Sequence, residues 1–523
     1  MNLLKATGTI GGLTLISRVL GLVRDSLFAR YVGASFASDA FLVAFRLPNL
    51  FRALFAEGAF ASAFIPMFNR KVSDPDGRGL ADGLVFAEQA LAVLLPVLIA
   101  LTVLLELFAW PVTLVLSGKF HGVTPGEFAF AVTCSRYTIP YLMLISLVSL
   151  FGGILNSLQK FWVNAAAPIL LNLTLITALL VFHNADPLAT ARNQAIAVSV
   201  SGVLQLAWLG WACWRNGVSL RLRLPRLTPE VKRLMTLILP AAAGAGAAQI
   251  NLVISTALAA SLLSHGSVTY IYIADRLNQL PLGLIGIGLG TVLLPTISRQ
   301  LGAGDDLAAL DTQNRGMELA LLLTLPATVA LVVCGDPIAA ALFGYGRYTP
   351  AATHYTAQAL AAFSIGLPSY ILVKVLTPGF YARQDTRTPV RFAVISMAVN
   401  LVGNLMLIVP LQHVGPPLAT AIASSVNVWM LYRELERRGH FMADRRLRRR
   451  APRLLFAALV MGAALWRGQM LITPYVQGSW PVRFGALAAL VSAGMLVYAL
   501  ATVVLGAFSR DDIALLLRRR RAS

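Results

Sequence analysis

Apolar residues run along this chain in long unbroken stretches, separated by short segments where Lys, Arg, Gly and Pro gather. The stretches recur from one end to the other, and as helices they are long enough to cross a hydrocarbon core of about 30 Å. They are continuous and rich in Leu and Ala rather than alternating at every second position, which predicts helices and argues against barrel strands. Read against their breaks, they place helices near 7–31, 36–69, 82–108, 127–156, 162–183, 193–214 and 230–260. The second half adds 267–298, 316–340, 352–382, 388–409, 414–432, 454–472 and 484–508. The expected fold class is an all-α polytopic membrane protein with about 14 transmembrane helices.

Composition agrees with the pattern. Of 523 residues, 57% are hydrophobic and only 13% charged, more apolar surface than a soluble chain of this length could bury. The first apolar run carries Arg18 and Arg24 and has no small-residue cleavage site behind it, so no cleavable signal peptide is expected. Cys134, Cys213 and Cys334 lie far apart, and the six histidines are scattered and unpaired. Neither a disulfide framework nor a metal centre is expected, and no cofactor motif is found. The sequence also lacks the Gly-x-x-x-x-Gly-Lys loop that would bind a nucleotide.

The net charge of +20 invites a nucleic-acid reading, and the placement of the charges opposes it. With the N-terminus in the cytoplasm, thirty of the 43 basic residues fall on the cytoplasmic loops, the tail or Lys5. The opposite loops hold only Lys119, Arg192, Arg347, Arg467 and Arg483. Such an excess of Lys and Arg on alternate loops is the topogenic signal of a membrane protein, with both termini cytoplasmic and an even number of spans. The basic tracts then face lipid headgroups, and no nucleic-acid partner is expected.

A weak repeat divides the chain. Phe64-Ile65-Pro66-Met67-Phe68-Asn69-Arg70 matches Leu293-Leu294-Pro295-Thr296-Ile297-Ser298-Arg299 at an offset of 229 residues. Arg46-Leu47 matches Arg276-Leu277 at an offset of 230. With the topology, this predicts two six-helix parallel-repeat lobes, 1–220 and 221–440, about a central cavity. Residues 441–523 then form a basic loop, two C-terminal helices and a basic tail.

Eight basic residues lie within the spans: Arg18, Arg24, Arg30, Arg46, Arg52, Arg136, Arg276 and Lys374. Each central Arg costs roughly 2.5–3.5 kcal/mol, so the five in the first two helices need water or a partner. Asp25 lies seven residues after Arg18, and Asp39 seven before Arg46, close to two helical turns, so each pair shares a face. Asp275 adjoins Arg276. Structural ion pairs are one reading of this set. The other is an anion site, because Arg24 and Arg52 have no partner by spacing, while Gly11, Gly12, Gly21 and Pro48 interrupt the helices that carry them. The planar guanidinium fork grips phosphate oxygens in pairs, so a diphosphate is the preferred cargo. The eighth helix adds Tyr270, Tyr272, Asp275, Arg276 and Gln279, and then glycines at 283, 286, 288 and 290 that either pack closely or hinge.

These residues resemble a known family. Ser17-Arg18-Val19-Leu20-Gly21-Leu22-Val23-Arg24-Asp25 is similar to the opening of the MurJ (MviN) lipid II flippases, within the multidrug/oligosaccharidyl-lipid/polysaccharide exporter superfamily. So are Ser38-Asp39-Ala40-Phe41, Arg46-Leu47-Pro48-Asn49-Leu50-Phe51-Arg52 and Glu57-Gly58-Ala59-Phe60. Ala274-Asp275-Arg276-Leu277, Leu293-Leu294-Pro295 and Phe380-Tyr381-Ala382-Arg383-Gln384-Asp385-Thr386 extend the likeness into the second half.

The resemblance implies an alternating-access flippase of the bacterial inner membrane. It would carry lipid II, the undecaprenyl-diphosphate-linked peptidoglycan precursor, from the cytoplasmic to the periplasmic leaflet, and so serve cell-wall biogenesis and cell shape. By motif position it implies Arg18, Arg24, Arg52 and Arg276 as the diphosphate-holding arginines with Asn49 beside them. Ser17, Asp25, Asp39, Arg46, Asp275 and Gln279 are the supporting or gating groups, and the last two helices shape a groove for the lipid tail. Membrane lipids and other cell-wall synthesis proteins are the further partners it suggests.

Two departures stand out. Gln279 replaces an acidic residue of some members, and Tyr381 replaces an Asn one turn before Asp385, so no sodium site is expected. Glu57, Glu88, Glu106 and Glu318 are candidate proton carriers, each with a packing role as the alternative. The rival functions are another lipid-linked oligosaccharide flippase, a drug exporter of the same superfamily, or a membrane enzyme acting on polyprenyl phosphates. An exporter of cations should show a carboxylate-rich cavity, and an enzyme clustered acids for a metal or base. The close acidic pairs here, Asp74/Asp76, Asp305/Asp306 and Asp511/Asp512, sit in turns or near the tail, and no enzyme activity is expected.

Overall fold

The computed structural model describes residues 3–55, 59–74, 79–476 and 478–507, and the described residues are helical with no strand. Glu57, Asp76, Arg78, the acidic pair Asp511/Asp512 and the tail arginines lie outside them. The helices are α1 Leu3–Val32, α2 Phe36–Phe55, α3 Ala59–Val72, α4 Leu80–Leu107, α5 Ala109–Ser117, α6 Pro125–Thr138, α7 Pro140–Ser157, α8 Phe161–Val181, α9 Pro187–Arg215 and α10 Pro229–Leu262. They continue as α11 Ser267–Gly302, α12 Asp306–Val333, α13 Gly335–Phe343, α14 Pro350–Ile365, α15 Leu367–Tyr381, α16 Arg387–Leu411, α17 Gly415–Arg437, α18 Arg445–Val476 and α19 Trp480–Val504.

Ten helical stretches among the described residues are long and apolar enough to cross a membrane. One of them, Arg387–Arg437, contains both α16 and α17. The charged helices α1, α2 and α10 fall outside that set.

Several expected helices are broken. The span near 127–156 parts at Ile139, because Pro140 begins α7 and supplies no N–H to continue α6. The span near 352–382 parts at Gly366, again one residue before a Leu-Pro start. Beyond α4 the chain turns at Phe108 into the short helix α5, in a stretch expected to be a loop. Starts are marked by side-chain caps: Thr124 and Glu127 form a reciprocal capping box on α6, Asp186 caps α9, and Thr228 caps α10 ahead of Pro229.

The chain divides into two compact units, 1–269 and 270–523. Helix α10 packs against α2, α3 and α5, so contact places it in the first unit although the repeat assigns it to the second lobe. The α5–α10 approach is close enough that Gly118, at φ 57°, has Ser261 Cβ only 2.8 Å from where its own Cβ would stand. Stacked rings of Phe60, Phe64, Phe68 and Phe86 lock α3 onto α4. In the second unit a core of Leu289, Leu293, Ile297, Ile371, Val375 and Phe380 joins α11 to α15, and Leu431 and Leu435 add α17. The helix pair α18–α19 is docked on α12: Val329 Cγ1 lies 2.5 Å from where a Cβ on Gly462 would stand, and the Tyr498 hydroxyl donates to the Leu322 carbonyl at 2.8 Å.

Candidate functional site

Helix α1 presents its charges on different sides. Arg18 is exposed, whereas Arg24 and Asp25 are buried, at 6% and 5% exposure. The Arg24 guanidinium donates through Nε and Nη2 to Asp25 Oδ1 at 3.0 and 2.6 Å, and through Nη1 to Asn172 Oδ1 of α8 at 3.1 Å. Asn172 turns its amide nitrogen back to α1, donating to the Ser17 carbonyl at 2.9 Å and the Ser17 hydroxyl at 3.3 Å. Ser17 and Arg24 thus meet at Asn172, a residue that spacing offered no reason to select, and Asp25 joins them through Arg24. Spacing left Arg24 without a partner, yet it bonds its neighbour Asp25 and Asn172 far along the chain.

Asp39 stands in the first turn of α2, 3% exposed. It accepts the backbone N–H of Gly266 at 2.7 Å, the backbone N–H of Thr269 at 2.9 Å and the Thr269 hydroxyl at 2.7 Å. Ser38 and Thr269 join through their hydroxyls at 2.8 Å. The expected Asp39–Arg46 pair does not form, because the carboxylate caps the start of α11 instead. Free N–H groups at a helix start bind an anionic oxygen well. Arg46, Asn49 and Arg52 follow on α2 around Pro48, each half-buried.

In the second unit, Arg276 lies along Tyr272. Its Nε and Nη2 donate to the phenolic oxygen at 3.2 and 3.1 Å, and its Cζ sits 5.3 Å from the ring centroid. Gln279 Nε2 donates to Asp275 Oδ2 at 2.6 Å. The uncharged Gln279 thus bonds Asp275 one turn before it, beside the Arg276–Tyr272 contact.

Three further acids have structural partners. Glu88, 5% exposed, accepts the Arg223 side chain at 2.6 Å and the Arg221 backbone N–H at 2.9 Å. Glu318 on α12 accepts Arg315, Arg446 and Arg450, and Arg315 also reaches Asp444. Asp385 accepts the Thr388 N–H and hydroxyl at 3.0 and 2.6 Å and Arg438 Nη1 at 2.7 Å. The Thr388 hydrogen bonds, then Arg438, hold its carboxyl down at about 2.

The fold is similar to that of solved membrane transporters. It matches the solved "Lipid II flippase MurJ, inward closed conformation" with a TM-score of 0.77 at 22% identity, covering 95% of this chain and 98% of that one. It also matches an inward-facing multidrug resistance MATE transporter of the MOP superfamily, with a TM-score of 0.63 at 15% identity, covering 82% and 98%. Sequence relatives narrow this. A Rhizobium tropici protein named "Probable lipid II flippase MurJ" is 39% identical, covering 100% of this chain and 98% of its own length. The Burkholderia cenocepacia "Lipid II flippase MurJ" is 37% identical, covering 89% and 90%. The profile of the family described as "Lipid II flippase MurJ" matches residues 28–485, and the chain belongs to that family.

Proposed function

We propose that this lipid II flippase holds the diphosphate of its cargo with Arg18, Arg24, Arg52 and Arg276, with Asn49 as a neighbouring polar group. The observation that carries the reading is the arginine surplus itself. Among residues 17–25, Arg18 is exposed on α1 while Arg24 is already seated against Asp25 and Asn172. Arg18 would make first contact, and Arg24 would add its charge from a fixed position. Arg276 on the Tyr272 ring and Arg52 in the last turn of α2 supply two further guanidinium groups. A diphosphate offers paired oxygens to each fork, whereas a cationic drug would be repelled.

Ser17, Asp25, Asp39, Arg46, Asp275 and Gln279 support or gate that set. The charge pattern supports cytoplasmic termini in a bacterial inner membrane, and lipid II then moves outward by alternating access. An inside-negative potential favours outward transfer of a diphosphate by roughly 2.3 kcal/mol per charge per 100 mV. Other cell-wall synthesis proteins are candidate partners for delivery and use of the cargo. Depleting the protein in its host and assaying lipid II exposed at the outer leaflet tests this function. Exposure should fall while total lipid II rises; unchanged exposure would refute it.

A further inference from the structure

The segment between α9 and α10 runs from Asn216 to Thr228 without helix. Its stretch Leu220-Arg221-Leu222-Arg223-Leu224-Pro225-Arg226-Leu227 alternates apolar and basic residues up to the proline. In extended backbone successive side chains point to opposite sides. One side is fixed, since Arg223 Nε donates to Glu88 on α4 at 2.6 Å. The Arg221 backbone adds a bond to the same carboxylate, and the Thr228 hydroxyl donates to Gln89 at 3.2 Å. Leu222 and Leu224 therefore face away from α4, 75% and 79% exposed, and Leu227 beyond the proline is 63% exposed.

The level of this segment along the span is set by its anchors. Glu88 and Gln89 are the last polar residues of α4 before the apolar run 90–101, so the segment lies where the hydrocarbon begins. The end of α9 marks the same boundary: Trp214 is 73% exposed, and Arg215 lies over the ring of the exposed Trp211 at 5.4 Å. Exposed tryptophans with arginine at a helix end are the mark of a membrane interface.

We propose that residues 219–227 form an interfacial strap seated on the bilayer, with Leu222, Leu224 and Leu227 among the upper acyl carbons and Arg221 and Arg226 against the phosphates of anionic phospholipid headgroups. A soluble phosphate would satisfy the arginines and leave three leucines in water; a lipid satisfies both. The strap joins two long helices of the first unit, so it ties their connection to one leaflet, the one that the charge pattern assigns to the cytoplasm.

The test uses the full chain in lipid nanodiscs, with an environment-sensitive fluorophore on Leu224→Cys or, separately, on Arg226→Cys. The native cysteines are buried. In discs containing phosphatidylglycerol, the Leu224→Cys label should emit to the blue. It should also be quenched several-fold more by lipids carrying a spin label near the carbonyl than the Arg226→Cys label is. Phosphatidylcholine discs should weaken that quenching, and glycerol phosphate added to them should not restore it. Adding Leu222→Ser and Leu227→Ser, both at exposed positions, should return the label toward water-like emission. Water-like emission and equal quenching at both sites would overturn the strap. Undiminished quenching in phosphatidylcholine, or restoration by glycerol phosphate, would overturn the assignment to anionic headgroups. The readout reports location rather than transport, so its failure leaves the flippase reading intact.

Discussion

The carboxylate of Asp39 accepts both the backbone N–H and the hydroxyl of Thr269, at 2.9 and 2.7 Å, and so ties the first turn of α2 to the first turn of α11. The Gly266 N–H completes the set. With Asp39 3% exposed, no solvent replaces an acceptor that is removed. Asp39→Ala is expected to cost about 2 kcal/mol, the penalty for stranding buried donors. Thr269→Val, which keeps the backbone donor, should cost less. Thermal unfolding of the purified protein checks the order, and an unchanged melting temperature for Asp39→Ala would contradict it.

Asn172 is expected to matter as much as the motif residues it joins. Asn172→Leu removes the contact with Arg24 Nη1 and both contacts with Ser17. It should lower flipping of a labelled lipid II in reconstituted vesicles by about tenfold, the effect of roughly 1.4 kcal/mol of misplaced charge. Wild-type flux in that variant would show that the Arg24 position needs no support from α8.

Glu318 gathers three arginines and holds the start of α18 on α12. Removing one partner of a largely buried ion pair costs about 3 kcal/mol, because the remaining charges lose their counter-ion. Glu318→Gln should therefore lower the melting temperature and open residues 438–446 to limited proteolysis. Asp444, which accepts Arg315 and the Leu447 N–H, should show the same proteolytic phenotype when changed to Ala. An unaltered cleavage pattern in both would count against the hub.

Asp385 sets a pH expectation. Its carboxyl is held at about 2 by Thr388 and Arg438, below the value near 3.9 of an unfolded chain. A depressed folded value stabilises at every pH above the unfolded one and is lost as pH falls toward the folded one. The difference in melting temperature between wild type and Asp385→Asn should thus be constant from about pH 5 to 8 and shrink below about pH 4. A difference that varies between pH 6 and 8 would contradict this placement.

The long apolar runs and the Arg-rich loops made the helical membrane fold legible, because lipid demands both. The breaks were not. The run across Ile139 and Pro140 is apolar on both sides, and hydropathy does not register a missing N–H. The stretch 109–117 is apolar too but only nine residues long, so it offered no crossing and no reason to expect α5. At the site, spacing along one helix could pair only residues of that helix. Asn172 lies 148 residues from Arg24, and Gly266 lies 227 from Asp39, so both contacts exist only once the helices pack. The partner of Gln279 was closer at hand, since Asp275 is one turn before it on α11.

Guanidinium recognition of the diphosphate is tested most directly by the affinity of the purified protein for lipid II when Arg18, Arg52 and Arg276 are each changed to Lys. Lysine keeps the charge and loses the paired donors, so each variant should bind about tenfold more weakly, close to one lost charge-assisted hydrogen bond. Wild-type affinity in all three lysine variants would contradict the assignment.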